Sequence, residues 1–204
     1  MEKKNSVLSN RKNAIRRMTT VAVLAAIATI LMFLSFSVPF MPSFIKMDIS
    51  ELPALLAAFA FGPIEGVLVC LLKNVINAFF STTGCVGEFS NFVLGCAFVV
   101  PAGLIYKFGK NRKSALTGSV LGALTMAVAS LPLNYYIMYP IYSKFMPIEA
   151  IIGASQEKIP SVDGLLMCLL VFNVPFTFIK GCVDVVIAFL IYKRLSPILH
   201  GKKR

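Results

Sequence analysis

Between residues 18 and 193 the chain is apolar almost throughout, in several runs close to the length a helix needs to cross a bilayer, about 20 residues. Few soluble folds have a use for such runs. Only 14% of the 204 residues are charged and 57% are hydrophobic, with a mean hydropathy of +0.80. Ordinary soluble domains carry about 25% charged residues. Within lipid the backbone must satisfy its own polar groups, which leaves helices or closed barrels as spanning elements. The alternating strands of about ten residues that a barrel requires are missing. The sequence therefore reads as an all-α integral membrane protein.

A formal net charge of +11 invites a nucleic-acid partner, but the placement of the charge argues against one. Fifteen of the 20 Lys and Arg residues fall in three short clusters, before Met18, from Lys107 to Lys113, and after Ile191. Each cluster flanks an apolar run. This is the positive-inside pattern, and it predicts that all three face the cytoplasm, against anionic headgroups. The five cysteines have no metal-ligand spacing, and the single His200 lies in the basic tail, so no metal site or His-based catalytic pair is expected.

Taken in order, residues 1–17 form a basic cytoplasmic arm, residues 18–195 a transmembrane domain, and residues 196–204 a basic cytoplasmic tail. The basic N-terminus resembles a signal n-region, but the run after it is too long for an h-region and lacks an obvious cleavage site. It is read as a retained span, residues 18–37. Along it Ala22 and Ala26, and Ala25 and Thr29, are each four apart, forming strips of small residues that permit close helix approach. Residues 38–47, VPFMPSFIKM, predict an irregular apolar loop, a lid or cavity wall. The stretch 46–91 then sets a charged cluster (Lys46, Asp48, Glu51) against two apolar helices, about 50–62 and 63–80, separated by the turn signal Gly62-Pro63. The first of these is short for a span, which points to tilt or to extension by the preceding loop. Further spans are expected over about 88–107, 115–139 and 164–193, with a small-residue turn at 81–87 and a longer outer loop at 140–163. Six helices in one compact bundle put both termini on the cytoplasmic side.

Polar residues within spans are costly and are functional candidates by default. Asn134 stands beside two tyrosines in LPLNYYIMYP, and Asn173, Thr177, Lys180 and Asp184 follow one another at helical spacing, sharing one face. That face must point into the bundle or a wet cavity. One reading makes Lys180 and Asp184 an i,i+4 ion pair. The other makes Asn134, Thr177 and Lys180 the few convergent polar groups of a small-molecule pocket, loosened by Pro175 and walled by Phe and Met. No nucleophile, base and orienting partner come together, and there is no phosphate-binding glycine loop, so an enzyme is not expected.

The succession IKMDISELPALLAAFAFGP, LLKN, TTGCVGEFSNF, PLNYYI and VPFTFIKG resembles the riboflavin-specific substrate-binding subunits of energy-coupling factor vitamin transporters, over roughly residues 18–193. The resemblance implies a six-helix subunit of the cell membrane that binds riboflavin from outside. It implies partners as well: a transmembrane coupling subunit and two cytoplasmic ATP-binding-cassette ATPases that drive uptake. It assigns the docking surface to the small-residue strip of the first helix, here Ala22 and Ala26. By motif, Lys46, Met47 and Asp48 would lie over the vitamin, and Asn134 and Lys180 would bond its ribityl hydroxyls or ring heteroatoms. Thr177 stands where the family favours Asn, which withdraws an amide from one expected hydrogen bond. Cys85 stands where Gly is expected. The flavin is ligand rather than cofactor. The same class of transporter with another vitamin or flavin mononucleotide, and a structural or signalling membrane subunit, are the alternatives.

Overall fold

The computed structural model describes residues 2–39, 41, 45–81, 84–144 and 147–200, with side chains from residue 11 to residue 191 of those. The chain is helical almost from end to end. Helix α1 (Glu2–Phe33) leads through a two-residue antiparallel ladder, β1 (Phe36–Ser37) with β2 (Lys46–Met47), to α2 (Glu51–Phe61) and α3 (Pro63–Ala78). Next come α4 (Val86–Gly109) and α5 (Arg112–Leu133), which runs on through a wide turn, Asn134–Met138, into α6 (Tyr139–Tyr142). Helix α7 (Ile148–Gln156) precedes α8 (Leu165–Cys168), the wide turn Leu169–Asn173 and α9 (Val174–His200).

Four stretches are long and apolar enough to cross a bilayer: Arg11–Phe33, Val86–Gly109, Arg112–Tyr142 and Leu165–Ile191. They fall where the apolar runs predict. The other two predicted helices are shorter. Eleven residues of α2 rise about 16 Å, half the thickness of a hydrocarbon core of about 30 Å. Ahead of α2, Ile45, Met47, Asp48 and Ser50 are buried although only β2 there is regular structure, so the chain descends into the bundle before the helix begins. The basic arm is helical, continuous with α1, and α9 likewise runs past residue 195.

Two ends of the bundle can be told apart by their contacts. Arg17 pairs with Glu65 of α3, and Phe59 packs at a tilt against Tyr106, bringing the first two basic clusters and the Gly62-Pro63 turn to one end. Phe33 meets Phe80 edge-on at the other, where the ladder and the remaining loops lie. Between them α4 and α5 form the tightest crossing. A Cβ on Gly118 would sit 2.9 Å from the Ala102 carbonyl oxygen, and one on Gly122 would collide with that of Phe98. Absent side chains let the backbones touch, the way helices hold together in lipid.

The structure departs from the sequence reading in the connections. The stretch 140–163, read as a loop, contains α7, whose Ile151 is buried against Leu133, Met138, Tyr139 and Leu169. Nine helical residues were hidden there by short length and flanking prolines. The apolar loop 38–47 is closed by the ladder; its residues Phe40 and Pro42 to Phe44 lie outside the described residues, as do Thr82 and Thr83 of the following turn.

Both wide turns have the same cause. The N–H of Tyr139 reaches back five residues to Asn134, and that of Val174 to Leu169. Each is followed directly by a proline, Pro140 or Pro175, which lacks an N–H and would crowd the carbonyl four residues earlier. Widening the turn relieves the crowding, and such π-bulges are common at functional sites.

Cys85, where glycine is expected, adopts φ 66°, ψ 2°, the left-handed region. A side chain there costs roughly 1–2 kcal/mol, less the greater freedom that glycine gains on unfolding. Cys85→Gly should therefore raise the thermal unfolding midpoint of the purified protein in detergent, by a net gain of up to about 1 kcal/mol. A lower midpoint would remove backbone strain as the explanation of this turn.

Candidate functional site

The irregular segment before α2 carries most of the buried charge. Asp48 and Ser50 lie on it, Glu51 opens α2, Lys73 lies on α3 and Lys180 on α9. Lys73 is 0% exposed, and its Nζ donates to Glu51 Oε1 at 2.6 Å and to Ser50 Oγ at 2.7 Å. The Ser50 hydroxyl donates in turn to Asp48 Oδ1, which also accepts the Ser50 N–H at 2.9 Å. The other oxygen, Asp48 Oδ2, accepts from Lys180 Nζ at 2.8 Å. A continuous chain of charge-assisted bonds thus joins α9 to α3 through the segment between them. The Asp48 carboxylate is thus bonded to one ammonium directly and linked to a second through the Ser50 hydroxyl.

Lys180 pairs with Asp48, 132 residues away in sequence, and not with Asp184 one turn along its own helix. Helical side chains lean toward the N-terminus, so Lys180 points away from Asp184, and a cation N-terminal to its anion is the weaker i,i+4 arrangement. The i,i+4 reading of this pair is corrected accordingly. Asp184 is 0% exposed, and neither carboxylate oxygen has a hydrogen-bond partner among the described residues.

The shared face on α9 does turn inward: Thr177 and Asp184 are buried, Asn173 and Lys180 half-buried. Asn134 meets this face from the wide turn of α5, its Nδ2 donating to Asn173 Oδ1 at 3.2 Å and to the Ser130 carbonyl at 2.7 Å. Beside these groups an apolar wall is formed by Met47, Phe172 and Phe176 with Ile45, Val162 and Cys168. Polar donors and acceptors therefore border an aromatic and thioether surface, an arrangement suited to a ligand with a flat apolar part and a hydroxylated part.

Of the residues singled out from sequence, Met47, Asp48, Asn134, Thr177 and Lys180 come to this region, while Lys46 is exposed on β2. On α1 the two small-residue strips separate. Ala25 and Thr29 are buried in the bundle, whereas Ala22 and Ala26 are exposed. Sequence reasoning missed the Asn134–Asn173 bond and the roles of Ser50 and Lys73. The signal available for Lys73 was a lone lysine in an apolar run near Glu51. Among the described residues no three His, Cys, Asp or Glu side chains gather as a metal site.

Residues 16–192 match the family model of the ECF transporter substrate-specific component. The chain belongs to that family. It is 36% identical to the riboflavin transporter RibU of Staphylococcus aureus (strain TCH60), over 90% of this chain and 92% of that protein. It is 32% identical to the riboflavin transporter FmnP of Bacillus subtilis (strain 168), over 93% and 96%. A solved structure of the S component of a bacterial ECF transporter superposes with a TM-score of 0.73 at 34% identity, covering 93% of this chain and 99% of that one. A component of this family is a transporter subunit, and with four spanning helices it is an integral membrane protein.

The ion-pair geometry makes a direct prediction. Lys180→Met leaves Asp48 buried without its cation and should destabilise the protein by about 3–5 kcal/mol. Asp48→Asn in the same chain should recover most of that loss, and Asp184→Asn should not. Thermal unfolding of the purified variants in detergent measures the effect. Recovery by Asp184→Asn contradicts the pairing.

Proposed function

We propose that this chain is the riboflavin-binding subunit of an energy-coupling factor transporter, taking the vitamin from outside the cell for ATP-driven uptake. The observation that carries the reading is the meeting of Lys180, Asp48 and the Asn134–Asn173 pair beside an apolar wall of Met47, Phe172 and Phe176. Its context is a family whose matched relatives are riboflavin transporters. Riboflavin has a flat, largely apolar ring and a ribityl chain rich in hydroxyls. The ring lies against the thioether and phenyl surfaces. A hydroxyl both donates and accepts, so one can enter between Lys180 and Asp48, accepting from the ammonium and donating to the carboxylate. Asn134 and Thr177 satisfy further hydroxyls or ring heteroatoms, and Lys46 with Met47 closes the site from the ladder.

In this reading six helices cross the cell membrane as one domain, residues 18–195, with α2 completing its crossing through the buried segment before it. The basic arm, the Lys107 to Lys113 cluster and the basic tail all lie in the cytoplasm, supported by the positive-inside bias. The site then opens at the opposite, loop-bearing end. The coupling subunit docks on the exposed Ala22 and Ala26, and two cytoplasmic ATPases supply the energy.

The purified protein should carry bound flavin, seen as yellow absorbance and identified by mass spectrometry, and the stripped protein should quench riboflavin fluorescence on titration. Asn134→Leu should weaken that binding by about tenfold, the loss of one hydrogen bond of about 1.5 kcal/mol. A colourless protein that neither quenches riboflavin nor flavin mononucleotide defeats the reading.

A separate expectation concerns docking. Ala22→Trp adds bulk to a face already turned out of the bundle, so it should leave riboflavin binding and folding intact. It should abolish co-purification of the coupling subunit and uptake. Retained co-purification would move the docking surface elsewhere.

A further inference from the structure

Asp48 has two oxygens in different circumstances. Oδ1 accepts two bonds, both from Ser50, whereas Oδ2 is engaged, among the described residues, only by Lys180, the half-buried lysine of the proposed site. What fixes that division lies behind the site. Ser50 and Lys73 are both 0% exposed, with their polar atoms bonded to Asp48 and Glu51. An ammonium is a donor only. Since Lys73 Nζ donates to Ser50 Oγ at 2.7 Å, the hydroxyl must accept on that side and direct its single proton to Asp48 Oδ1. Glu51 holds the ammonium in place at 2.6 Å, in space left open by Gly95, where a Cβ would come within 2.7 Å of Glu51 Oε2.

We infer that Ser50 and Lys73 are positioning residues of the ligand site: the Lys73 ammonium polarises the Ser50 hydroxyl, which locks Asp48 Oδ1 and leaves Oδ2 aimed at the ligand and Lys180. This rests on the riboflavin reading above and deepens it, by extending the determinants of affinity to α3, which contributes nothing to the proposed contacts. The segment before α2 has no helical or extended hydrogen-bond ladder from Asp48 to Ser50, so its register depends on these side chains. With the tether cut, Asp48 is free to rotate and must be ordered again by each ligand that binds.

The test is a double-mutant cycle on riboflavin binding, read by fluorescence quenching, beside thermal unfolding of the ligand-free proteins. Ser50→Ala removes the relay but keeps the Lys73–Glu51 pair. It should weaken binding by about tenfold or more, as expected for a lost bond to a charged group. In an Asp48→Asn background the same change should cost much less, because the residue it positions no longer offers a carboxylate. Should Ser50→Ala fail to fold, the paired change Lys73→Met with Glu51→Gln withdraws the ammonium without stranding a charge, and the same non-additivity with Asp48→Asn is expected. An equal loss in both backgrounds, or unchanged affinity in a folded variant, overturns the inference. Absence of riboflavin binding by the wild type is a different result, one that overturns the functional reading itself.

Discussion

A lysine that is wholly buried in a bundle surrounded by lipid has to be neutralised where it stands, and Lys73 is so placed. Removing an ammonium and a carboxylate from water costs several kcal/mol each, recovered only when geometry and hydrogen bonding are complete. Glu51 supplies the opposite charge and Ser50 a second acceptor, and each has a further partner in turn. The pair pins the start of α2 to α3. Because Asp48 and Lys180 are bonded onto the same chain, it also sets where α9 stands relative to the segment before α2. An apolar core of similar volume would serve stability as well. What an apolar core would not supply is a carboxylate and an ammonium held side by side next to an aromatic wall.

The same cluster accounts for the shortness of α2. A helix beginning within the bundle leaves its first N–H groups without intrahelical acceptors, and at that depth they must be met by protein. The positive end of the helix dipole then lies beside Asp48 and Glu51, which it favours as anions. Ser50 contributes its N–H to Asp48 and its hydroxyl to the relay, serving both the backbone and the site. The cost of interrupting the span is met by side chains, and the gain is an irregular stretch of backbone brought up against α9. The wide turns ahead of Pro140 and Pro175 do the corresponding thing on α5 and α9, and one bond, Asn134 to Asn173, ties them together.

Much of this was legible in the sequence, for a simple reason. Apolar length and basic clusters are local, and they located the four long helices to within a few residues, except that the first starts well before residue 18 and the last runs on to His200. The inward face of α9 was likewise legible from spacing alone. The pairing of that face was not. Lys180 has a carboxylate one turn away and bonds instead to one 132 residues distant, a choice made by packing, which no local pattern records. The π turns were half legible: Pro175 announced a disturbed helix without saying that the turn would widen. Helix α7 was masked by its brevity. Cys85, which the family resemblance set at a glycine position, does adopt a positive φ.

The first helix shows how much such a distinction matters. Ala22, Ala25, Ala26 and Thr29 are equally small, and spacing places them on two neighbouring strips that the sequence leaves equivalent. Packing separates them: Ala25 and Thr29 are buried, with Thr29 returning its hydroxyl to the Ala25 carbonyl, while Ala22 and Ala26 face outward among Val23, Ile27 and Ile30. Small residues on the inner strip need no further reason, since they let α1 lie close to α2 and α3. On the outer strip they make no contact inside the bundle that demands their size, and lipid accommodates Leu or Ile there as readily as Ala. A shallow groove between larger aliphatic side chains is instead what another helix requires for close approach. The docking proposed above would use this exposed face, which α1 does not need for packing in its own fold.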